Sequence, residues 1–232
     1  MSADDLTRAA EFMPIFPLVG ALVGVLCGVL TWSLESVLPF TVVGFLSIGS
    51  ILFLNGAQHF DGLLDFGDGI MCHGSRLRKL RAMRDPQTGA GGISLGLIVL
   101  SATAFAISSI RPSLVVQTLI VAEGAAKLSM LIQASRGESA HRGMSSVFVT
   151  AMHSKGRSWR LISSIFLTTL IALIGLGMTG LLIICMTGFV ALLMTALSNR
   201  SFGGITGDVM GATNEITRLV SILVVVVGMR WL

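Results

Sequence analysis

Seven long apolar runs, separated by polar segments, dominate the sequence. Each run is close to the roughly 20 residues that an α-helix needs to cross a bilayer. They predict an all-α, polytopic integral membrane protein with about seven transmembrane helices, within a range of six to eight, and a single domain over residues 1–232. The runs are 12–34, 39–57, 92–110, 113–134, 161–178, 181–197 and 216–232.

Glycines interrupt several of these runs. In the first run they recur every fourth residue, at Gly20, Gly24 and Gly28. This spacing puts them on one face of a helix and lets a second backbone approach closely. We therefore expect these glycines to serve helix packing rather than chemistry.

Composition supports a membrane protein. Hydrophobic residues make up 53% of the chain and charged residues 12%, whereas charged residues are about 25% of a soluble domain. The first apolar run is too long for a signal-peptide core, so we expect the mature protein to keep it. The three cysteines, Cys27, Cys72 and Cys185, have no spacing typical of a disulfide framework or zinc site.

The positive charges are asymmetric. Three long polar segments, 59–91, 135–160 and 198–215, alternate with short turns and so fall on one face of the membrane. The opposite face has only Arg111 and Arg230. The positive-inside rule makes the long-segment face cytoplasmic, in the cell membrane, and the bilayer rather than a nucleic acid is the expected partner of its basic surface. Its cations are Arg8, Arg76, Arg78, Lys79, Arg81, Arg84, Arg136, Arg142, Lys155, Arg157, Arg160, Arg200 and Arg218.

The most informative polar segment begins with closely spaced acids. Asp61, Asp65 and Asp68 follow an i, i+4, i+7 pattern, which in a helix puts all three carboxylates on one face. Such a density of oxygen ligands suits Mg²⁺ or Mn²⁺. The alternative is a solvated face paired with the following arginines. The intervening glycines, at 62, 67 and 69, favour the first interpretation because they suggest room for a ligand.

Other residues extend this predicted site. His59 is a candidate general base or a hydrogen-bond partner of a carboxylate. The glycine-rich stretch 88–92 opens a helix, where free N–H groups of Gly89 and Gly92 would bind phosphate. Asp208, also among glycines, is a further candidate metal ligand.

One charged pair lies within the fourth apolar run. Glu123 and Lys127 are four residues apart, and ionisable residues at that depth are costly enough to suggest a function. Mutual neutralisation is the alternative explanation.

Three motifs carry a family resemblance. H-F-D-G-L-L-D-F-G-D-G at 59–69, M-R-D-P-Q-T-G-A-G-G at 83–92 and G-G-I-T-G-D-V-M-G-A at 203–212, with a weaker match in A-H-R-G-M-S-S-V-F at 140–148, resemble cobalamin synthase. That family is also named adenosylcobinamide-GDP ribazoletransferase. In place of Gln87 the family is expected to have a basic residue, so no role is carried over to that position.

The resemblance implies a membrane enzyme whose substrates are adenosylcobinamide-GDP and α-ribazole or its 5′-phosphate. A ribose hydroxyl would attack the cobinamide-linked phosphorus and expel GMP, with Mg²⁺ (or Mn²⁺) as cofactor. Asp61, Asp65 and Asp68 would hold metal and carry catalysis with His59. Asp85 or Asp208 would bind a second metal ion, and Asp85 would also take part in catalysis. Arg84, Arg136 and Arg142 would contact the substrate phosphates.

Two other functions compete with this one. A CDP-alcohol phosphatidyltransferase also binds a nucleotide diphosphate ester, but its D-G-x-x-A-R element is absent after Asp61-Gly62. In an ion or metal transporter, Glu123, Lys127 and the acids would form a path, although most of the acids lie on one face rather than at the midplane. The choice between monomer and homo-oligomer, the number of metal ions and the general base stay open.

Overall fold

The computed structural model describes residues 12–141, 143–154 and 156–230. A 3-10 turn, Met13–Ile15, precedes nine helices in this part of the chain, and its only β-type pairing is an isolated bridge between Ser139 and Ile205. The all-α prediction is confirmed. The helices are α1 (Phe16–Leu34), α2 (Phe40–Leu54), α3 (Gln58–Met71), α4 (Arg76–Ala82), α5 (Ala90–Ser108), α6 (Pro112–Arg136), α7 (Met144–His153), α8 (Arg157–Phe202) and α9 (Gly207–Gly228).

Five helical segments are long and apolar enough to cross a membrane. A sixth span results if α2 and α3, which meet at an angle of 99°, are counted as one broken span. The polytopic membrane fold is therefore confirmed. The five segments are Met13–Leu34, Ala90–Ser108, Pro112–Arg136, Ser158–Phe202 and Gly207–Gly228.

The 46-residue helix α8 is interrupted at Gly177, whose φ of 57° and ψ of −132° are not helical. On one side of the break, a Cβ on Gly175 would lie 3.3 Å from Val121 of α6; on the other, Thr195 lies against Gly137 at the far end of α6. The two arms of α8 therefore run in opposite directions along α6. They correspond to the predicted runs 161–178 and 181–197.

Helix α6 lies at the centre of the bundle and packs against α1, α8 and α9. The three glycines of α1 face it: a Cβ on Gly28 would lie 2.9 Å from the backbone of Val116, and Gly20 and Gly24 are closer still to Glu123 and Leu119. Their predicted role in packing is confirmed.

The break between α2 and α3 positions the acidic helix. Two residues in the left-handed region, Gly56 with φ of 63° and Ala57 with φ of 55°, turn the chain. The predicted span 39–57 is thus too long, since α2 ends at Leu54. From the break, α3 passes between α9 and α5, and it packs against both.

Candidate active site

The acids of α3 lie on a regular helix, as their spacing predicts. Asp61 is exposed, whereas Asp65 and Asp68 are half-buried. The same-face arrangement of the three carboxylates follows from the helical geometry.

The glycines between these acids serve close packing, which corrects the expectation that they leave room for a ligand. A Cβ on Gly62 would lie 2.9 Å from the carbonyl oxygen of Asp208, and one on Gly67 would lie 2.8 Å from that of Gly91. Gly69 similarly lies against Met83 and Phe202. The missing side chains let α3 approach α9 and α5 so that acids on different helices converge.

Asp68 caps α5. Its two carboxylate oxygens accept the N–H groups of Gly89 and Gly92, at 2.7 and 2.8 Å. The sequence had suggested that these two N–H groups bind phosphate. They are not free to do so, because the Asp68 carboxylate already occupies the positive end of the helix. Asp68 joins α3 to α5 in this structure.

Asp208 approaches the α3 acids from the first turn of α9. Thr206 caps this helix, accepting the N–H of Val209 and donating to the Asp208 carboxylate, both at 3.2 Å. The carboxylate of Asp208 interacts electrostatically with that of Asp65, as do those of Asp61 and Asp68. The carboxylates of two helices thus face one another.

No lysine or arginine in the described part of the chain forms an ion pair with these carboxylates, since the ion pairs there involve Arg218 alone. His141, which sequence reasoning missed although its motif was noticed, interacts electrostatically with Asp208. The carboxylates Asp61, Asp65 and Asp208 are called the acidic group below. Their mutual repulsion favours binding of a cation.

Over residues 12–141, 143–154 and 156–230, no three His, Cys, Asp or Glu side chains are close enough to hold a metal ion by themselves. Mg²⁺ usually binds through one or two carboxylates and completes its coordination with water and substrate phosphates. The oxygen donors of the acidic group fit such an ion, bound together with a phosphate ester.

A cavity of about 570 Å³ opens beside the acidic group. Asp61, Asp208 and His59 line its polar side, together with Gln58 and Ser145. Methionine and phenylalanine side chains form the rest of its wall. The cavity can therefore hold a ligand that has both an apolar part and groups that interact with carboxylates.

A contact with Lys127 determines the tautomer of His59, one of the residues that line the cavity. Its Nε2 lies 3.4 Å from the Lys127 ammonium, and because an ammonium only donates, Nε2 must accept. The ring proton then lies on Nδ1, which is buried and has no hydrogen-bond partner among the described residues. A neutral imidazole has one acceptor nitrogen, so this geometry leaves none for general-base catalysis.

Lys127 and Glu123, which were expected to neutralise each other, form no direct ion pair, although the two charges interact electrostatically. Lys127 bonds to Asn214 at 3.1 Å and to Asn55 and His59 at 3.4 Å, linking α6 to the break before α3 and to α9. Glu123 instead pairs with Arg218.

Arg218 is buried in α9, with 1% of its surface exposed, and it pairs with Glu215 as well as Glu123. Its assignment to the cytoplasmic surface was wrong because the last span begins at Gly207 rather than at residue 216. The spacing of Glu215 and Arg218, three residues apart on one helix, was the available signal.

Arg84, Asp85 and Arg136 are not among the residues that line the cavity. Arg84 and Asp85 are exposed, and Asp85 accepts the N–H of Gln87 at 3.0 Å in the turn before α5. Arg136 is exposed in the last turn of α6. Arg142 lies outside the described residues.

Comparison with known proteins identifies the family. The family model described as cobalamin-5-phosphate synthase matches residues 1–226. A protein from Methanocella arvoryzae, named adenosylcobinamide-GDP ribazoletransferase, is 34% identical over 94% of this chain and 86% of its own length. One of the same name from Methanosarcina mazei is 31% identical over 98% of this chain and 85% of its own length. No solved structure matches significantly. The chain belongs to the cobalamin-5-phosphate synthase family.

Proposed function

We propose that this protein joins adenosylcobinamide-GDP to α-ribazole or α-ribazole 5′-phosphate and releases GMP. The observation that carries this proposal is the acidic group beside the cavity, in a chain whose relatives are named for that transfer. A pyrophosphate substrate provides the negatively charged oxygens through which a divalent cation would bind to carboxylates.

In the proposed reaction, a ribose hydroxyl oxygen of the nucleoside forms a bond to the phosphorus attached to cobinamide. The bond from that phosphorus to the bridging oxygen of the pyrophosphate breaks, and GMP leaves with the bonding electron pair. Asp61 and Asp208, which line the cavity, are the candidates to accept the hydroxyl proton. Their position next to the bound nucleoside would also orient the hydroxyl.

We propose that Mg²⁺, with Mn²⁺ as the alternative, binds through one or two of the carboxylates of Asp61, Asp65 and Asp208 and through the substrate phosphates. When bound, such an ion would neutralise charge on the reacting phosphates. Asp68 is less suited to this role, since both of its oxygens already accept backbone N–H groups. Asp85, Arg84 and Arg136 remain candidates for contacts with the part of the large substrate that extends beyond the cavity, together with Arg142.

His59 would act in this reaction as a hydrogen-bond donor through Nδ1. A phosphate oxygen or a ribose hydroxyl next to the cavity would satisfy that buried group, which otherwise lacks a partner. We also propose that the acidic group faces the cytoplasm in the cell membrane, because the polar segments around it contain most of the arginines and lysines.

The family match favours this reaction over the two alternatives from the sequence. The D-G-x-x-A-R element of the lipid phosphotransferases is absent. Of the interior charges that a transport path would use, Glu123 is paired with Arg218, and Lys127 is hydrogen-bonded to Asn55, His59 and Asn214.

The test is turnover by the purified protein in liposomes with adenosylcobinamide-GDP, α-ribazole 5′-phosphate and Mg²⁺. We expect GMP and a cobamide product from the wild type, with loss of both on EDTA treatment and in Asp65→Asn. Glu35→Gln is the matched control, because Glu35 ends α1 at the opposite end of the bundle. No product from a folded wild type would refute the proposal, and CDP-linked lipid substrates would then be tried.

A further inference from the structure

The apolar wall of the cavity is continuous and comes from four parts of the chain. Two of its rings, Phe16 of α1 and Phe148 of α7, meet edge to face with their centroids 6.1 Å apart. The wall consists of Met13, Phe16, Met130, Phe148 and Met210. Asp61 and Asp208 line the same cavity, so one ligand can contact both the apolar side chains and the carboxylates.

The two sides of the cavity limit the chemistry of this ligand. Phenylalanine and methionine favour a flat aromatic group, through edge contacts and through sulfur–aromatic contacts. The carboxylates favour hydroxyl groups or a cation. A nucleoside with an apolar base has this division: an aromatic base at one end and a ribose with hydroxyls at the other.

Size separates the two substrates of the proposed reaction. A cavity of about 570 Å³ is within the range that encloses drug-sized ligands, roughly 300–1,000 Å³. Ribazole, a ribonucleoside of a methylated benzimidazole, is of that size. A corrinoid with its adenosyl and nucleotide groups is several times larger and must extend outside.

We infer that the apolar wall binds the aromatic base of α-ribazole and thereby directs its ribose towards Asp61 and Asp208. This inference rests on the proposed function and adds the binding position of one substrate. The three methionines, whose unbranched side chains adapt their shape, would make the wall tolerant of different apolar bases.

The test measures the KM of each substrate separately in Met130→Ala and Phe148→Ala. We expect the KM for α-ribazole to rise roughly tenfold in each variant, from lost apolar contact, with the KM for adenosylcobinamide-GDP unchanged. Met178→Ala and Phe166→Ala are matched controls, because these side chains are 77% and 68% exposed on the outer surface of α8. Met130→Leu, which keeps the volume, should keep the wild-type KM.

Equilibrium dialysis of α-ribazole with each variant, without the second substrate, separates binding from turnover and should show the same tenfold loss. Unchanged α-ribazole binding, or a rise in the KM for adenosylcobinamide-GDP instead, would overturn the inference while the proposed function stands. If the substitutions changed only how the activity depends on the lipid composition of the liposomes, the wall would bind a lipid chain instead, and the inference would be overturned. No GMP release by the wild type would remove the proposed function and this inference together.

Discussion

Gly62 is where α3 lies closest to the backbone of Asp208, and replacing it with alanine tests how the acidic group is assembled. The added Cβ would lie 2.9 Å from the Asp208 carbonyl oxygen and 3.0 Å from its Cα. Ordinary contact begins at 3.4 Å, so the helices must separate by roughly 0.5 Å. The Asp208 atoms that the added Cβ would contact belong to the backbone, so no side-chain rotation can relieve the contact.

The expected effect of Gly62→Ala is larger on turnover than on folding. Overpacking of this kind costs about 1–3 kcal/mol in the free energy of unfolding. A displacement of 1 Å can lower a rate about 100-fold, so a shift of half that size should lower kcat roughly tenfold. Asp65 and Asp208 lie on the two helices that separate, and a cation would be held less well between them.

The assay is GMP release at saturating substrate, with thermal unfolding in detergent measured in parallel. Gly188→Ala is the matched control, since a Cβ there has no atom within 4 Å and alanine favours a helix over glycine. Wild-type kcat in folded Gly62→Ala would refute the idea that this contact sets the position of the acids. An equal loss in Gly188→Ala would show that the activity responds to any added methyl group.

Three more substitutions test the site and its support. Asp68→Ala should lower the free energy of unfolding by about 1–2 kcal/mol through loss of the α5 cap, as thermal unfolding would show; a raised Mg²⁺ requirement at unchanged stability would instead make Asp68 a metal ligand. His59→Asn, whose amide can replace the Nδ1 donor, should retain more GMP release than His59→Gln, and the reverse order would contradict the donor role. Arg218→Met leaves two carboxylates buried without their cation and should destabilise the fold by about 3–5 kcal/mol. Adding Glu123→Gln and Glu215→Gln to this variant should recover folded protein in size-exclusion chromatography. No recovery would contradict the charge-pairing explanation.

The apolar pattern predicts the membrane fold because burial in lipid depends on runs of residue types, which one sequence displays. It also predicts the reversal between 178 and 181, where Gly177 ends one helical arm. It misses the break at Asn55, since an apolar pattern does not reveal where two left-handed residues turn the chain.

Predictions for the site are right where they depend on local helix geometry and wrong where they depend on how the helices pack. Helical spacing puts Asp61, Asp65 and Asp68 on one face, and this depends on local geometry alone. Which acid caps α5 and which acid faces Asp208 depends on how α3, α5 and α9 pack, and the spacing contains no information about that. The glycines of α3 were misread for the same reason: a residue without a side chain suits both a ligand and a neighbouring helix.

The distribution of charge explains why the acidic group can exist in so apolar a chain. In the bundle interior, Glu123 and Glu215 are matched by Arg218 and by Lys127, two negative charges against two positive ones. Burying these groups is tolerable because their charges cancel and their polar atoms are bonded. The same bonds fix α6 to α9 and to the start of α3, the two helices that hold the acidic group. The acidic group forms no ion pair with a lysine or arginine among the described residues, although His141 interacts electrostatically with Asp208. The paired interior charges thus hold in place the two helices whose carboxylates would attract a cation.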